Sequence, residues 1–265
     1  MARSFIKSYA TPAARGTAQR NHAWLTSYAA PMVLPRILST GPTELEFEWA
    51  VGRHAEPRDL PLLADHLGAA HGAAWLRCLR GARLTAPHTD SQGVLIPGFT
   101  APREAALHQR YRDGYLTARE LPSALARLKE AAARPAAFYK DTNPRNVLIT
   151  PSGRPVTLDP DDLTLAPFGY DLAKLVVTLA MTYGRLADDQ VTRALAAYNR
   201  AAAAHHPALG DTTPAQFLAY AELHGVLTAP YLGRGGYRWS WSQVRPGPLP
   251  DAALSHPAHR RKPCP

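Results

Sequence analysis

The sequence has few cysteines, few charged residues and no long apolar stretch. Its two cysteines, Cys78 and Cys264, have neither the spacing of a metal site nor that of a disulfide framework. The most apolar stretch, residues 172–181, contains Lys174 and is shorter than the ~20 residues that span a bilayer. The N-terminus also lacks the apolar core of a signal peptide. These absences predict a soluble, cytoplasmic protein with no membrane contact.

Acidic residues are missing at both ends of the chain. The formal net charge is +9, and residues 1–20 and 252–265 contain basic residues but no acid. The body between these ends is therefore close to neutral. A basic tail can meet a polyanion, but no nucleic-acid-binding motif is present, so we expect no nucleic-acid partner. The proline-rich segment 246–265 is predicted to be a disordered basic tail. The abundance of alanine and the 25 prolines are typical of a high-GC bacterial sequence.

The most informative stretch is FYKDTNPRNVLIT, residues 138–150, which is followed by PSGR and PVTLD. β-Branched residues predict two short strands, and Pro-Ser-Gly-Arg predicts the turn between them. A hairpin that closes symmetrically about this four-residue turn places Asn146 opposite Asp159, with Asp141 in the loop that leads in. Two carboxylates and an amide oxygen that converge suit a hard cation such as Mg²⁺.

This arrangement resembles the catalytic loop and metal-binding hairpin of the kinase-like fold. There, an Asp, four residues and an Asn precede a hairpin that ends in a metal-binding Asp. Pro144, before RNVLI, makes the loop most similar to that of the aminoglycoside phosphotransferase and choline kinase group. A second match follows at the group's spacing, because APFGYDLA at residues 166–173 is similar to Gly-Asp-Pro-x-x-Asp-Leu-Ala. The resemblance implies that its final Asp, Asp171, supports the catalytic loop.

The resemblance also implies the fold, which we expect to be α+β with the two lobes of the kinase-like fold. Residues 1–52 are predicted to form a reduced N-terminal nucleotide-binding lobe, and residues 53–245 a mainly helical lobe with the catalytic loop and metal hairpin. The family places a glycine-rich hairpin before the strand that carries its phosphate-binding lysine. Because only six residues precede Lys7, the N-terminal lobe is predicted to lack this hairpin. An upstream extension or a protein partner that completes the nucleotide site are the alternatives.

ATP, or another nucleoside triphosphate, and Mg²⁺ are the cofactors that the resemblance implies. Lys7 lies in a predicted strand and is similar in position to the lysine that holds the α- and β-phosphates. A surface lysine near a chain end is the alternative. Backbone near Glu48 and Val51 is expected to meet the adenine. The helix after Lys7 has no acid to pair with this lysine, and Asn21 is nearest to the expected place.

The remaining roles follow the chemistry of phosphoryl transfer, which depends on positioning and charge neutralisation. Asp141 is predicted to accept or orient the proton of an acceptor hydroxyl, while Asn146 and Asp159 hold Mg²⁺. Asp161 is either a second metal ligand or a cap of the following turn.

Two substitutions precede the predicted base. Tyr139 replaces a histidine that braces the loop in the family, and Lys140 is a candidate to neutralise the transferring phosphate. Glu222 and His224 are candidate substrate-pocket residues, because the last helices form the wall of the acceptor pocket in the family. Asp162 is a third candidate, because it could form a local acidic site with Asp161 and Glu222. The acceptor stays open between a small metabolite, a sugar, an amino alcohol and a Ser or Thr side chain of a peptide.

These observations favour an ATP-dependent phosphotransferase that acts on a hydroxyl of a small molecule. One alternative is a catalytically weak kinase-like binding or partner subunit in a peptide- or metabolite-modifying complex, because the glycine loop and the helix acid are missing. Another is an unrelated helical enzyme. The enzyme is favoured by Asp141, Asn146 and Asp159, since a scaffold has no need of three converging oxygen ligands.

Overall fold

The N-terminal part of the chain is a small antiparallel sheet with one long helix. In the computed structural model, which describes residues 3–249, its elements are β1 (Ser4–Ser8), α1 (Pro12–Tyr28), β2 (Ile37–Thr40) and β3 (Glu44–Glu48). The strand order is β1-β3-β2, so β3 is central. Helix α1 begins where the Thr11 hydroxyl accepts a hydrogen bond from the Ala14 amide at 3.1 Å, with a proline at its first position.

Strand β3 has one buried face and one acidic face, as its alternating sequence predicts. Leu45 and Phe47 are buried, whereas the Glu48 carboxylate accepts hydrogen bonds from Arg36 on the solvent side. Strand β1 lies at the edge of this sheet, and within residues 3–249 no strand pairs with its outer side. Within residues 3–249, this N-terminal sheet therefore has three strands.

The chain from residue 53 onward is mainly helical. Its helices are α2 (Leu60–Ala74), α3 (Thr100–Arg112), α4 (Glu120–Ala131), α5 (Tyr170–Tyr183), α6 (Asp188–Ala203), α7 (Pro214–Thr228) and α8 (Trp241–Val244). Its strands are β4 (Arg53–His54), β5 (His88–Thr89), β6 (Leu95–Ile96), β7 (Ala136–Tyr139), β8 (Val147–Ile149), β9 (Pro155–Thr157) and β10 (Thr164–Pro167). They form the sheets β4-β8-β9, β7-β10 and β5-β6. The architecture is therefore α+β with a helical C-terminal part.

Helix α5 is the centre of the helical core and positions the site. Residues 170–173 and 175–181 of this helix are all buried. Each fully buried Leu or Val stabilises the fold by roughly 1.5–3 kcal/mol, so this helix is held firmly. Helices α2 and α6 pack closely beside it at Gly68, where a Cβ atom would overlap the Tyr198 carbonyl. The first turn of α5 carries Asp171 into the interior behind the catalytic loop.

The β8–β9 hairpin forms as predicted, but its register differs from the predicted one by one residue. The Leu158 amide donates to the Asn146 carbonyl at 2.7 Å, so Asn146 faces Leu158 and not Asp159. The turn is shorter because Thr150 closes it by accepting from the Gly153 amide, and Gly153 takes up a left-handed φ of 78°. Asp159 then lies just beyond the hairpin and is itself left-handed, at φ 57°.

The predicted tail begins inside the described part of the chain. The Gly247 amide donates to Asp188 Oδ1 at 3.0 Å, and Leu249 is buried. Residues 250–265, the rest of that tail, lie outside the described residues. Within residues 3–249, no helix combines the length and the apolar character needed to cross a membrane.

Candidate active site

Asp141 lies in the loop between β7 and β8 and has a left-handed backbone, with φ 46°. Such a conformation is costly for a residue other than glycine, so surrounding contacts must hold it. The Asp141 carbonyl accepts hydrogen bonds from the side-chain amides of Asn146 at 3.1 Å and Asn143 at 3.3 Å. Its carboxylate Oδ1 accepts from the Tyr139 hydroxyl at 2.9 Å and lies 3.4 Å from Lys174 Nζ.

The Asp141 carboxylate is held in its ionised form. Burial raises its pKa, but the charge of Lys174, the hydrogen bond from Tyr139 and the charge of Lys140 together bring the pKa below its ordinary value. An ionised carboxylate in this position is able to accept a proton or a hydrogen bond from a hydroxyl group.

Asp171 contacts the same loop from the protein interior. It is fully buried, and its carboxylate accepts the amides of Lys140 at 3.2 Å and Thr142 at 3.1 Å. Burial raises the Asp171 pKa to about 6, although these hydrogen bonds act in the opposite direction. The Nε2 atom of His71 lies 3.9 Å from Asp171, and its Nδ1 lies 2.8 Å from the Tyr198 hydroxyl. Asp171 thus makes the contacts expected of a loop support.

Tyr139 is packed between an arginine and a histidine. The Arg103 guanidinium lies 4.9 Å from the centre of its ring, and the His224 ring is stacked at 6.0 Å. His224 is 1% exposed, and its Nε2 lies 2.9 Å from the Tyr170 carbonyl oxygen. The prediction that His224 lines a substrate pocket is therefore wrong for this structure, because the ring is enclosed behind Tyr139. Burial also holds the His224 pKa well below its ordinary value.

Lys140 faces the protein interior. It is 1% exposed and lines a small cavity of about 10 Å³ together with His66 and Thr142. Burial brings the pKa of Lys140 below its ordinary value, although the charges of Asp159 and Asp141 act in the opposite direction. In this arrangement the ammonium does not reach solvent, so a contact with a transferring phosphate stays a prediction that requires the loop to open.

A cavity of about 610 Å³ separates the N-terminal sheet from the hairpin. Its lining includes Lys7, Glu48, Asn146 and Asp159, four of the residues predicted to handle nucleotide and metal. Val51 is 63% exposed and does not line this cavity, although Ala50 and Gly52 on either side of it do.

Lys7 points from β1 towards the segment that follows β9. Its Nζ lies 2.6 Å from Asp159 Oδ1 and 2.7 Å from Asp161 Oδ2. Burial lowers the Lys7 pKa, but the hydrogen bonds to these two carboxylates outweigh it, and the pKa is raised. Asn21, the residue nearest to the place expected for an acid, instead donates its side-chain amide to the backbone carbonyl of Asp161 at 2.8 Å.

Two oxygen atoms near the hairpin are suited to bind a hard cation. The Asn146 NH₂ group donates to the Asp141 carbonyl, and within residues 3–249 the Asn146 amide oxygen has no hydrogen-bond donor. Asp159 Oδ2 is likewise without a donor in the described part of the chain. Both side chains line the same cavity, and amide and carboxylate oxygens are ligands that Mg²⁺ prefers.

The two other candidate substrate residues differ in their surroundings. Burial and the negative charges of Asp141 and Asp159 raise the pKa of Asp162. Glu222 instead accepts a hydrogen bond from Trp241 Nε1 at 3.1 Å. Glu222 therefore joins α7 to α8, and no contact in the described structure connects it to the catalytic loop.

Two residues at the site were missed by the sequence analysis. Lys174 follows Asp171 by three residues on α5, and this spacing on one helix face was a usable signal. Tyr9 follows Lys7 by two residues on the same side of the chain, and its hydroxyl donates to Asp161 at 3.2 Å.

Comparisons with known proteins agree with this geometry. The sequence matches the family described as "Phosphotransferase enzyme family" over residues 3–209. Three solved structures are similar. An ethanolamine kinase from Plasmodium vivax has a TM-score of 0.57 and 10% sequence identity, with 86% of this chain and 68% of that chain covered. The apoenzyme of a macrolide 2′-phosphotransferase from Brachybacterium faecium has a TM-score of 0.55 and 13% identity, with 93% and 85% of the two chains covered. An amicoumacin kinase in complex with AMP-PNP, Ca²⁺ and Ami has a TM-score of 0.55 and 12% identity, with 85% and 73% covered.

At these identities, the structural similarity establishes the fold, and the family match establishes the relationship. No curated protein matched the sequence. The chain belongs to the phosphotransferase enzyme family, and its fold is that of the aminoglycoside phosphotransferase and choline kinase group of kinase-like enzymes.

Proposed function

We propose that this protein transfers the terminal phosphoryl group of ATP to a hydroxyl group of a small molecule. The observation that carries the proposal is the shared cavity of Lys7, Asn146 and Asp159, together with the hydrogen bond from Asn146 to the backbone of Asp141. In this scheme residues 1–52 are the nucleotide lobe and residues 53–245 the helical lobe.

The roles of the chain's own residues follow from their charges. Lys7 holds the phosphates that are not transferred, and Asn146 with Asp159 holds Mg²⁺. The metal neutralises the charge of the phosphates when it is bound. Asp141 takes the proton of the acceptor hydroxyl. The oxygen of that hydroxyl forms a bond to the terminal phosphorus of ATP, while the bond between this phosphorus and the departing ADP breaks. The low pKa of Asp141 keeps it ready to accept that proton.

The nucleotide and the acceptor class are supported by the similar structures. The amicoumacin kinase was solved with an ATP analogue and a divalent cation. The ethanolamine kinase and the macrolide phosphotransferase are named for small acceptors. A polycationic acceptor such as an aminoglycoside requires several acids in its pocket. Glu222, one of the candidate acids, is instead engaged by a hydrogen bond from Trp241. We therefore favour a small, weakly charged alcohol over an aminoglycoside.

Calorimetry of ATP binding, with and without Mg²⁺, tests the proposal first. Metal-dependent binding that Asp159→Ala removes establishes the nucleotide site. Glu46→Gln is a suitable control, because Glu46 is an acid on β3 that contacts Ser39 and no residue of the site. With an acceptor identified from a panel of alcohols, Asp141→Asn is expected to lower kcat by roughly 10²–10⁴. A wild-type protein that binds no ATP in any condition would favour the partner-subunit alternative.

A further inference from the structure

Helix α1 brings no carboxylate to Lys7. Its residues, 12–28, include no Asp or Glu, so the helix cannot supply an ion-pair partner. Lys7 nevertheless has one, because Asp161 Oδ2 lies 2.7 Å from its Nζ. The partner therefore comes from the segment after β9 and not from helix α1.

Asp161 is itself held from two directions by the N-terminal part of the chain. The Tyr9 hydroxyl donates to Asp161 Oδ1 at 3.2 Å, which leaves Oδ2 for Lys7. The Asn21 amide donates to the Asp161 carbonyl at 2.8 Å, and Asn21 is only 5% exposed. Helix α1 therefore contributes a buried amide that positions the backbone of an acid, and the acid belongs to another element.

The two carboxylates around Lys7 differ in their surroundings. Asp159 lines the cavity with Asn146, whereas Asp161 does not line it and is fixed by Tyr9. Lys7 contacts Oδ1 of Asp159, and Oδ2 is the oxygen that Mg²⁺ would take, so the bound metal and the ammonium would share the charge of Asp159. Asp161 would then be the carboxylate that serves the ammonium alone.

We propose that Asp161 is the positioning residue for Lys7, and that it keeps the ammonium directed at the nucleotide while Asp159 binds metal. This inference rests on the proposed function. It assigns Asp161 to the lysine, in place of the metal-ligand and turn-cap roles that the sequence suggested. The side chains of Lys7 and Asp161 are 25% and 36% exposed, so the ion pair contributes little to stability and acts through geometry.

Nucleotide affinity in a double-mutant cycle tests this role. Asp161→Asn removes the charge and is expected to weaken the binding of ATP with Mg²⁺ roughly tenfold, because the metal then shares the charge of Asp159 and Asp161 is the main partner of the ammonium. In a Lys7→Met background, the same substitution is expected to cause no further loss. An equal loss in the Lys7→Met background would show that Asp161 acts on the metal or the nucleotide and not through Lys7, and would overturn the inference. Glu46→Gln again controls for removal of a nearby acid.

A measurement on the nucleotide-free protein separates this inference from the proposed function. Acylation of the Lys7 amine by a water-soluble, amine-reactive reagent, followed by peptide mass spectrometry, reports how firmly the ammonium is held by its carboxylate partners. Asp161→Asn is expected to speed the reaction roughly threefold, because one of two carboxylate partners is lost. An unchanged rate would overturn the pairing even if ATP binds. If the wild type binds no ATP, the proposed function fails, and the acylation rate still decides the pairing.

Discussion

The ammonium of Lys174 lies 3.4 Å from the Asp141 carboxylate, and the two residues belong to different elements of the helical part. Lys174 projects from α5, and its Nζ also donates to the Thr228 hydroxyl of α7 at 3.3 Å. Its side chain is 11% exposed. A cation held in this way both orients the proposed base and keeps it ionised.

Replacing Lys174 with Met is expected to lower kcat roughly tenfold and to move the acid limb of the pH–activity profile to higher pH. The direction follows from the charge, because Lys174 lowers the pKa of Asp141 and its removal lets that pKa rise. The active, ionised form of Asp141 is then lost at a higher pH. The measurement is kcat/KM as a function of pH. Lys174→Arg, which keeps the charge, is the control, and an acid limb that stays in place in Lys174→Met would contradict the assignment.

Tyr139→Phe is expected to lower kcat several-fold and to change the free energy of unfolding by about 1 kcal/mol or less. The substitution removes the hydroxyl that donates to Asp141 but leaves the ring between Arg103 and His224. Tyr139→Ala removes both and should destabilise the fold by roughly 3–5 kcal/mol. Urea unfolding and steady-state kinetics on the two variants separate the roles. Equal stability losses in both variants would show that the hydroxyl, not the ring, holds the loop.

His71→Asn is expected to make the stability of the protein less dependent on pH in the acid range. Burial lowers the pKa of His71 to about 3, whereas the ordinary value is 6.5. Between these values the unfolded chain binds a proton that the folded chain does not. The depressed pKa therefore costs the wild type about 1.4 kcal/mol for each unit that the pH falls below 6.5.

Urea unfolding of the wild type and His71→Asn at pH 7, 6 and 5 checks this slope. Asp171, whose raised pKa acts in the opposite direction, lies 3.9 Å from His71, so the comparison is repeated in an Asp171→Asn background. Parallel pH profiles for the two proteins would mean that His71 is not the group that titrates.

Gly68→Ala is expected to destabilise the fold by roughly 1–3 kcal/mol, although alanine is the better helix former. A Cβ at this position would overlap the backbone carbonyl of Tyr198, which cannot move without displacing α6. Gly81→Ala is the matched control, because a Cβ there meets no atom within 4 Å. Thermal unfolding of both variants provides the comparison, and a Gly68→Ala variant as stable as the wild type would show that α2 and α6 can separate freely.

Local spacing in the sequence predicted the centre of the site. Asp141, Asn146 and Asp159 lie within one loop and one hairpin, so the chain itself brings them close together. The cavity then places Asn146 and Asp159 on a common wall. Even here the register was off by one residue, because the contact between Thr150 and Gly153 shortened the turn in a way that the turn residues alone did not specify.

Contacts between distant elements were decided by the tertiary structure. Asp161 meets Lys7 because the segment after β9 crosses to β1, and Lys174 meets Asp141 because α5 packs behind the catalytic loop. His224 was predicted at a pocket wall, but the packing of α7 buries it. The sequence by itself determined the order and spacing of Asp141, Asn146 and Asp159, since these are properties of a short length of chain. Which charges face one another depends on how whole helices and strands bury their apolar sides, and only the folded chain decides this.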